Sequence, residues 1–247
     1  FYGESGGQVG DVGKITTNEA TFIVSGTTKM EDGHYLHVGT VEEGTLKTGD
    51  KAAAEICRKT RQSTMKNHTA AHILQAVLRQ VLGEHVHQAG QLVNSERCRF
   101  DFSHFSALTA EELSEVERLV NEKIFEAIDV TMKEMPIEEA RKLGAMALFG
   151  EKYGNIVRVV SVGDFSIEFC GGTHISNTSQ IGLFKIVSES SIAAGLRRIE
   201  AVTGAGVLEL INNYKNTITE SAKALKLANL TELPEKCAAI FAECKEK

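Results

Sequence analysis

Ser63-Thr64-Met65-Lys66-Asn67-His68-Thr69-Ala70-Ala71-His72-Ile73-Leu74-Gln75-Ala76-Val77-Leu78-Arg79-Gln80-Val81-Leu82 is the stretch on which the reading of this chain turns. Leu74, Val77, Leu78 and Val81 recur at helical spacing, Ser63 or Thr64 can cap the start and Gly83 can end the run. An amphipathic helix is therefore predicted over 63–82. His68 and His72 stand one turn apart on one face of it. Two imidazoles at this spacing can grip one metal ion, but alone such a pair is more often an ordinary surface or core pair.

A second fragment strengthens the reading. Cys170-Gly171-Gly172-Thr173-His174 sets a soft sulfur and a third imidazole four residues apart. The two glycines let the backbone curl so that both side chains converge. Sulfur and imidazole nitrogen at tetrahedral corners suit Zn²⁺, so one Zn²⁺ is predicted on His68, His72, Cys170 and His174. The two halves lie roughly a hundred residues apart, and the fold has to bring them together. A zincin-type peptidase needs Glu immediately after its first His, and Thr69 stands there, so that chemistry is set aside. Four protein ligands normally close a structural zinc. Ligand chemistry therefore leaves both a zinc that staples two segments and a zinc that works.

Around this pair of motifs the chain reads as α+β. Short extended runs at 11–17, 20–25 and 35–41, broken by Ser25-Gly26, Asp32-Gly33 and Thr48-Gly49-Asp50, suggest a small N-terminal β-barrel over 1–60. The core, 61–204, holds the histidine helix and a second helix over 111–128. A capping box, Thr109 with Glu112, opens that second helix. A short helix over 137–143 follows Pro136. Strands are predicted at 156–162, 166–169, 183–188 and 196–202. Gly204-Ala205-Gly206 marks a boundary, after which 205–247 reads as an amphipathic helical tail that must bury its stripe against something.

Composition narrows the class. The chain has 247 residues, 42% hydrophobic and 24% charged, and no apolar run long enough to cross a bilayer. It does not begin with Met and shows no leader, and it reads as a piece of a longer protein. Five scattered cysteines, an odd number, form no disulfide framework and fit a reducing cytoplasm. Net charge is −6, yet charge is segregated: 110–139 carries ten acids and three bases, and 47–66 six bases and two acids. Arg58 and Lys59 in the basic run, with Arg197 and Arg198, are candidate phosphate contacts, although a solvated face or an internal ion pair serves equally well.

Taken together, His68-x-x-x-His72 and Cys170-Gly-Gly-Thr-His174 resemble the editing domain of the alanyl-tRNA synthetase family. The match is strengthened by Phe1-Tyr2-Gly3-Glu4-Ser5-Gly6-Gly7-Gln8-Val9-Gly10-Asp11, Arg99-Phe100-Asp101-Phe102 and Gly195-Leu196-Arg197-Arg198-Ile199-Glu200. The likeness covers essentially the whole chain. It implies hydrolytic proofreading of tRNA(Ala) mischarged with serine or glycine, with the ATP-using aminoacylation domain lying before Phe1 and the tail beginning a region that supports oligomerisation. It implies His68, His72, Cys170 and His174 as metal ligands, and Gln88 and Cys170 as catalytic residues. Gly6, Gly7, Gln8 and Gln88 are implied as substrate-binding residues. Ala71 and Gln91 depart from the family pattern, where Thr and Ser are common. The nearest alternatives are a threonyl-type editing domain, with the same two-His, Cys-x-x-x-His layout, and a non-catalytic zinc-stapled tRNA-binding module.

Overall fold

The computed structural model describes residues 1–146 and 154–245. It divides into two compact units, Phe1–Gly204 and Ala205–Lys247. The predicted α+β class is borne out: antiparallel sheets and helices share the first unit. None of the described helices is long and apolar enough to cross a membrane.

The N-terminal sheet contains β1 (Gly13–Thr16), β2 (Ala20–Lys29), β3 (Tyr35–Gly44) and β4 (Ala53–Ile56) in the order β3-β2-β1-β4. A barrel is the sequence expectation. Among the described residues the pairing leaves β3 and β4 as edges, so this sheet is not closed by pairing them to each other. The chain then passes directly into α1 (Arg58–Leu82). That helix starts earlier than its sequence signals suggest. Cys57 still donates its backbone N–H to Val12 O, so strand pairing and helix abut at this residue. Thr64, predicted as a cap, lies inside the helix and returns its hydroxyl to Thr60 O at 3.0 Å.

The helix is also buried more completely than one apolar stripe requires. Every residue from 67 to 75 is buried. The cause is its central position: Ile73, Leu74, Val77 and Leu78 share one core with residues of a second sheet. That sheet contains β5 (Gln88–Val93), β6 (Cys98–Ser103), β10 (Phe184–Ala193) and β11 (Leu196–Thr203), ordered β10-β11-β6-β5. Phe100 and Phe102 of β6 and Ile199 of β11 point into the core, while Arg99, Asp101 and Arg198 alternate with them. Val116, Val120 and Ile124 of α2 (Ala110–Phe125) complete it. The capping box is present, with Glu112 N–H donating to Thr109 Oγ1 at 3.1 Å and Thr109 N–H to Glu112 Oε2 at 2.8 Å.

A three-stranded sheet, β7 (Val130–Pro136), β8 (Ile156–Val162) and β9 (Ser166–Phe169), carries the second half of the site. The middle strand β8 is buried on both faces, since Val160 and Val162 join the main core while Val157 and Val159 pack with Ala140 of α3 (Ile137–Lys142). In the second unit, α4 (Ala205–Ala224) and α5 (Leu233–Lys245) realise the helical tail.

Candidate metal centre

Four side chains converge. His68 and His72 come from the buried middle of α1, Cys170 from the residue that follows β9, and His174 from the loop beyond it. Their donor atoms all lie within 4.8 Å of one another. Cys170 Sγ is 3.5 Å from His68 Nε2 and 3.3 Å from His174 Nε2. The group could hold one metal ion, and its soft sulfur with three imidazoles is compatible with zinc.

The atoms around the cluster fit such an ion. Each histidine turns its Nδ1 outward to a polar neighbour. Gln8 Oε1 meets His68 Nδ1 at 2.7 Å, Thr69 Oγ1 meets His174 Nδ1 at 3.1 Å, and Glu168 Oε2 lies 3.5 Å from His72 Nδ1. This is the support that orients metal-binding imidazoles. At 3.5 Å the Glu168 contact is an ion pair without a hydrogen bond, which leaves His72 Nδ1 otherwise unpartnered. Burial raises the Cys170 thiol, but the neighbouring His68 and His72 and the polar contacts with His174 and His68 outweigh it and hold the group well below its ordinary value. Burial and the neighbouring His68 push His174 down to about 3, so it is neutral. Burial also disfavours charge on His72, yet Glu168 and Cys170 prevail and raise it to about 9. The Cys170 sulfur thus favours positive charge beside it, while burial pushes Glu168, on the outer side of His72, up.

The Cys170–His174 loop is built for this approach. Arg158 of β8 donates from Nη1 to Cys170 O and to Gly172 O, both at 2.7 Å. Gly172 N–H points at Cys170 Sγ, 3.4 Å away. Backbone freedom is the sequence argument for the two glycines, but neither has a positive φ. Gly172 is required for room instead: a Cβ there would overlap the His68 ring and come within 2.8 Å of Gln8 Oε1.

His68, His72 and Cys170 form part of the wall of a cavity of ≈ 310 Å³, and His174 is not on that wall. Gln88 lines the same cavity, as do Tyr2, Ser5 and Gly6 of the N-terminal loop and Arg158, Glu168 and Phe169. Gly7 and Gln8 are not on that wall. Gly7 packs against Gln91, and Gln8 is fully buried against His68 and the Cys170–His174 loop. Gln91 does line the cavity and donates to Gly6 O at 2.6 Å, while Ala71 is enclosed in the main core.

The basic candidates separate. Arg58 and Lys59 are exposed in the first turn of α1 and join no ion pair described among these residues. Arg197 and Arg198 were offered to phosphates by the sequence, but each is held by a carboxylate of its own sheet. Arg197 binds Glu189 at 2.5 and 2.7 Å, and Arg198 binds Asp101 at 2.6 and 2.7 Å. Sequence reasoning missed the roles of Thr69, Arg158 and Glu168: Thr69 lies inside the His68–His72 motif but, like the other two, acts through contacts made only on folding.

Comparison with known proteins agrees with the motifs. Residues 157–200 match the family described as threonyl and alanyl tRNA synthetase second additional domain, and residues 1–60 match class II (A) tRNA synthetases. The chain is 52% identical over 246 residues to an alanine--tRNA ligase of Bacillus subtilis and 51% to that of Bacillus velezensis. It is 55% identical over 226 residues to that of Acetivibrio thermocellus. These alignments cover 92–100% of this chain, which spans 26–28% of the relatives' length.

Proposed function

We propose that this chain, which corresponds over its whole length to a segment of the alanyl-tRNA synthetase family, is a proofreading hydrolase. It cleaves the ester between serine or glycine and the terminal ribose of tRNA(Ala), at a site built on one zinc ion held by His68, His72, Cys170 and His174. The observation that carries this reading is that three of those four side chains line the cavity. A zinc that only stapled two segments would have no need of a cavity beside it.

Such a site answers a selectivity problem. One methyl group separates glycine from alanine and is worth about 1–3 kcal/mol of discrimination in a pocket, so a second, hydrolytic site supplies what binding cannot. When bound, zinc supplies a Lewis acid that polarises a carbonyl or orients a water. The chain's own residues do the rest. A cavity of ≈ 310 Å³ lies at the small end of ligand pockets and suits an aminoacyl group better than a whole nucleotide. Ile156, Val157 and Phe169 give it an apolar side. The Gln88 and Gln91 amides and the Ser5–Gly6 turn give it a polar side, able to reward a serine hydroxyl and to be left unpaired by alanine. Arg158 fixes the Cys170–Gly172 backbone, and with it the position of the sulfur.

The exposed Arg58 and Lys59 open α1, whose first turn holds no acid. Cations at a helix N-terminus are unfavourable unless an anion joins them, and this suits an RNA phosphate. The helical unit Ala205–Lys247 is proposed to serve oligomerisation of the full protein, and the cytoplasm is its proposed compartment.

Metal analysis combined with Ser-tRNA(Ala) deacylation, on the wild type and on Cys170→Ala, tests the reading. One zinc per chain and hydrolysis in the wild type are expected, with both lost in the variant. Full activity in a metal-free variant overturns it. A wild type that holds zinc and binds tRNA without hydrolysis points to the stapled module instead, and faster release from Ser-tRNA(Thr) than from Ser-tRNA(Ala) points to a threonyl-type domain.

A further inference from the structure

We propose that Gln8 is a positioning residue of the metal centre: it locks His68 in the tautomer that presents Nε2 to the ion, and so ties metal affinity to the docking of the N-terminal loop. This rests on the zinc reading above and assigns Gln8 a task other than touching substrate. Gln8 is fully buried and lies off the cavity wall. Its Oε1 sits 2.7 Å from His68 Nδ1 and 2.8 Å from the backbone N of Thr173, and its Nε2 donates to Thr173 Oγ1 at 2.9 Å.

The orientation of the amide follows from its partners. A backbone N–H can only donate, so the Gln8 atom facing Thr173 N is the oxygen. That oxygen only accepts, so the hydrogen shared with His68 is carried by Nδ1. His68 Nε2 is then left with its lone pair, on the side where Cys170 Sγ lies at 3.5 Å. The Thr69 hydroxyl beside His174 can donate or accept and fixes no tautomer. Glu168 is too far from His72 to form a hydrogen bond. Of the three supports, Gln8 is therefore the one that selects a protonation pattern. It also joins the two halves of the site, since it contacts a ligand on α1 and the Cys170–His174 loop at once.

The loop that carries Gln8 is seated firmly. Val93 N–H donates to Gly7 O at 2.7 Å and Val9 N–H to Val93 O at 3.0 Å. Asp11 accepts from Tyr2 N–H at 2.6 Å and pairs with Arg61 of α1. Gly7 has φ +82° and its missing Cβ would strike Gln91. Docking of this loop and closure of the ligand set are thus one event, and whatever displaces the loop loosens the ion.

Gln8→Met keeps the volume and removes the acceptor, while Gln8→Glu keeps it. Zinc affinity by chelator competition, ring ¹⁵N shifts of His68 in metal-stripped protein, and the thermal stability of that stripped protein are compared across the three chains. Gln8→Met is expected to weaken zinc by about 10–100-fold, the usual effect of removing such a support, and to release His68 from the Nδ1–H tautomer. Gln8→Glu is expected to bind at least as well as wild type and to keep the tautomer. Wild-type affinity in Gln8→Met overturns the proposal, as does equal weakening in both variants in step with lost stability. A wild type that takes up no zinc sinks the metal reading itself, a result distinct from either.

Discussion

Gly171 and Gly172 are chemically identical neighbours for which the structure demands opposite outcomes. A Cβ on Gly171 meets nothing within 4 Å, whereas one on Gly172 overlaps the His68 ring and comes within 2.8 Å of Gln8 Oε1. Neither position has a positive φ, so backbone strain drops out of the comparison. His68 is 1% exposed and backed by Gln8, so its ring has nowhere to retreat without giving up that hydrogen bond. Overpacking a tight site costs about 1–3 kcal/mol, and leaving the buried His68 Nδ1–H donor unpaired costs a similar amount, since Gln8 Oε1 still accepts from Thr173 N–H. The two are alternatives, because one movement of the ring relieves the first by incurring the second, so Gly172→Ala is expected to lose about 1–3 kcal/mol in all. If ~2 kcal/mol of this falls on the metal-bound state, zinc affinity drops about 30-fold. Gly171→Ala is expected to stay within about 0.5 kcal/mol of wild type in stability, with its zinc affinity unchanged. Because Gly171 lines the cavity, its variant is free to alter substrate affinity without touching the metal. Chelator competition and thermal unfolding on both variants measure the difference. Zinc affinities within twofold of each other would refute the packing argument, and with it the geometry drawn for the Cys170–His174 loop.

Three further outcomes are expected. Thr109→Ala removes one half of the α2 capping box and should cost about 1 kcal/mol in urea unfolding; an unchanged midpoint would show that the cap is idle. Asp101→Asn weakens the bidentate hold on Arg198 and the ion pair with Arg99, 3.7 Å away. With Arg198 partly exposed the loss should be modest, about 1–2 kcal/mol, and a loss below 0.5 kcal/mol would mean that water replaces the pair. In tRNA binding, Lys59→Ala should flatten the slope of log affinity against log salt by about 0.7–0.9, the range for one phosphate contact between single-stranded and duplex nucleic acid. Arg197→Ala should leave that slope alone, because Glu189 already holds the guanidinium. A reversed ranking would mean that the sheet arginines, not the start of α1, face the RNA.

What was legible in the sequence divides along a physical line. The donor set was legible because metal affinity is a property of residue type: sulfur and imidazole advertise themselves wherever they lie, and His68-x-x-x-His72 needs only a helix to place both rings on one face. The capping box of α2 was legible for the same reason, being local. The supports were not. Gln8 lies 60 residues from His68 and 165 from Thr173, and Thr69 lies 105 from His174. A glutamine in a glycine loop looks like any polar loop residue until folding buries it. The arginines of β11 show the converse error. Arg197 and Arg198 advertise phosphate binding by type, but Glu189 and Asp101, 8 and 97 residues away, neutralise them in the fold. Residue type therefore tells what a side chain is able to bind, and long-range pairing decides whether it is still free to do so. For His68 that pairing acts in the ligand's favour: Gln8 occupies Nδ1 and so leaves Nε2 available. The hydrogen bond that hides the glutamine from sequence reading is the one that leaves His68 Nε2 turned toward the Cys170 sulfur.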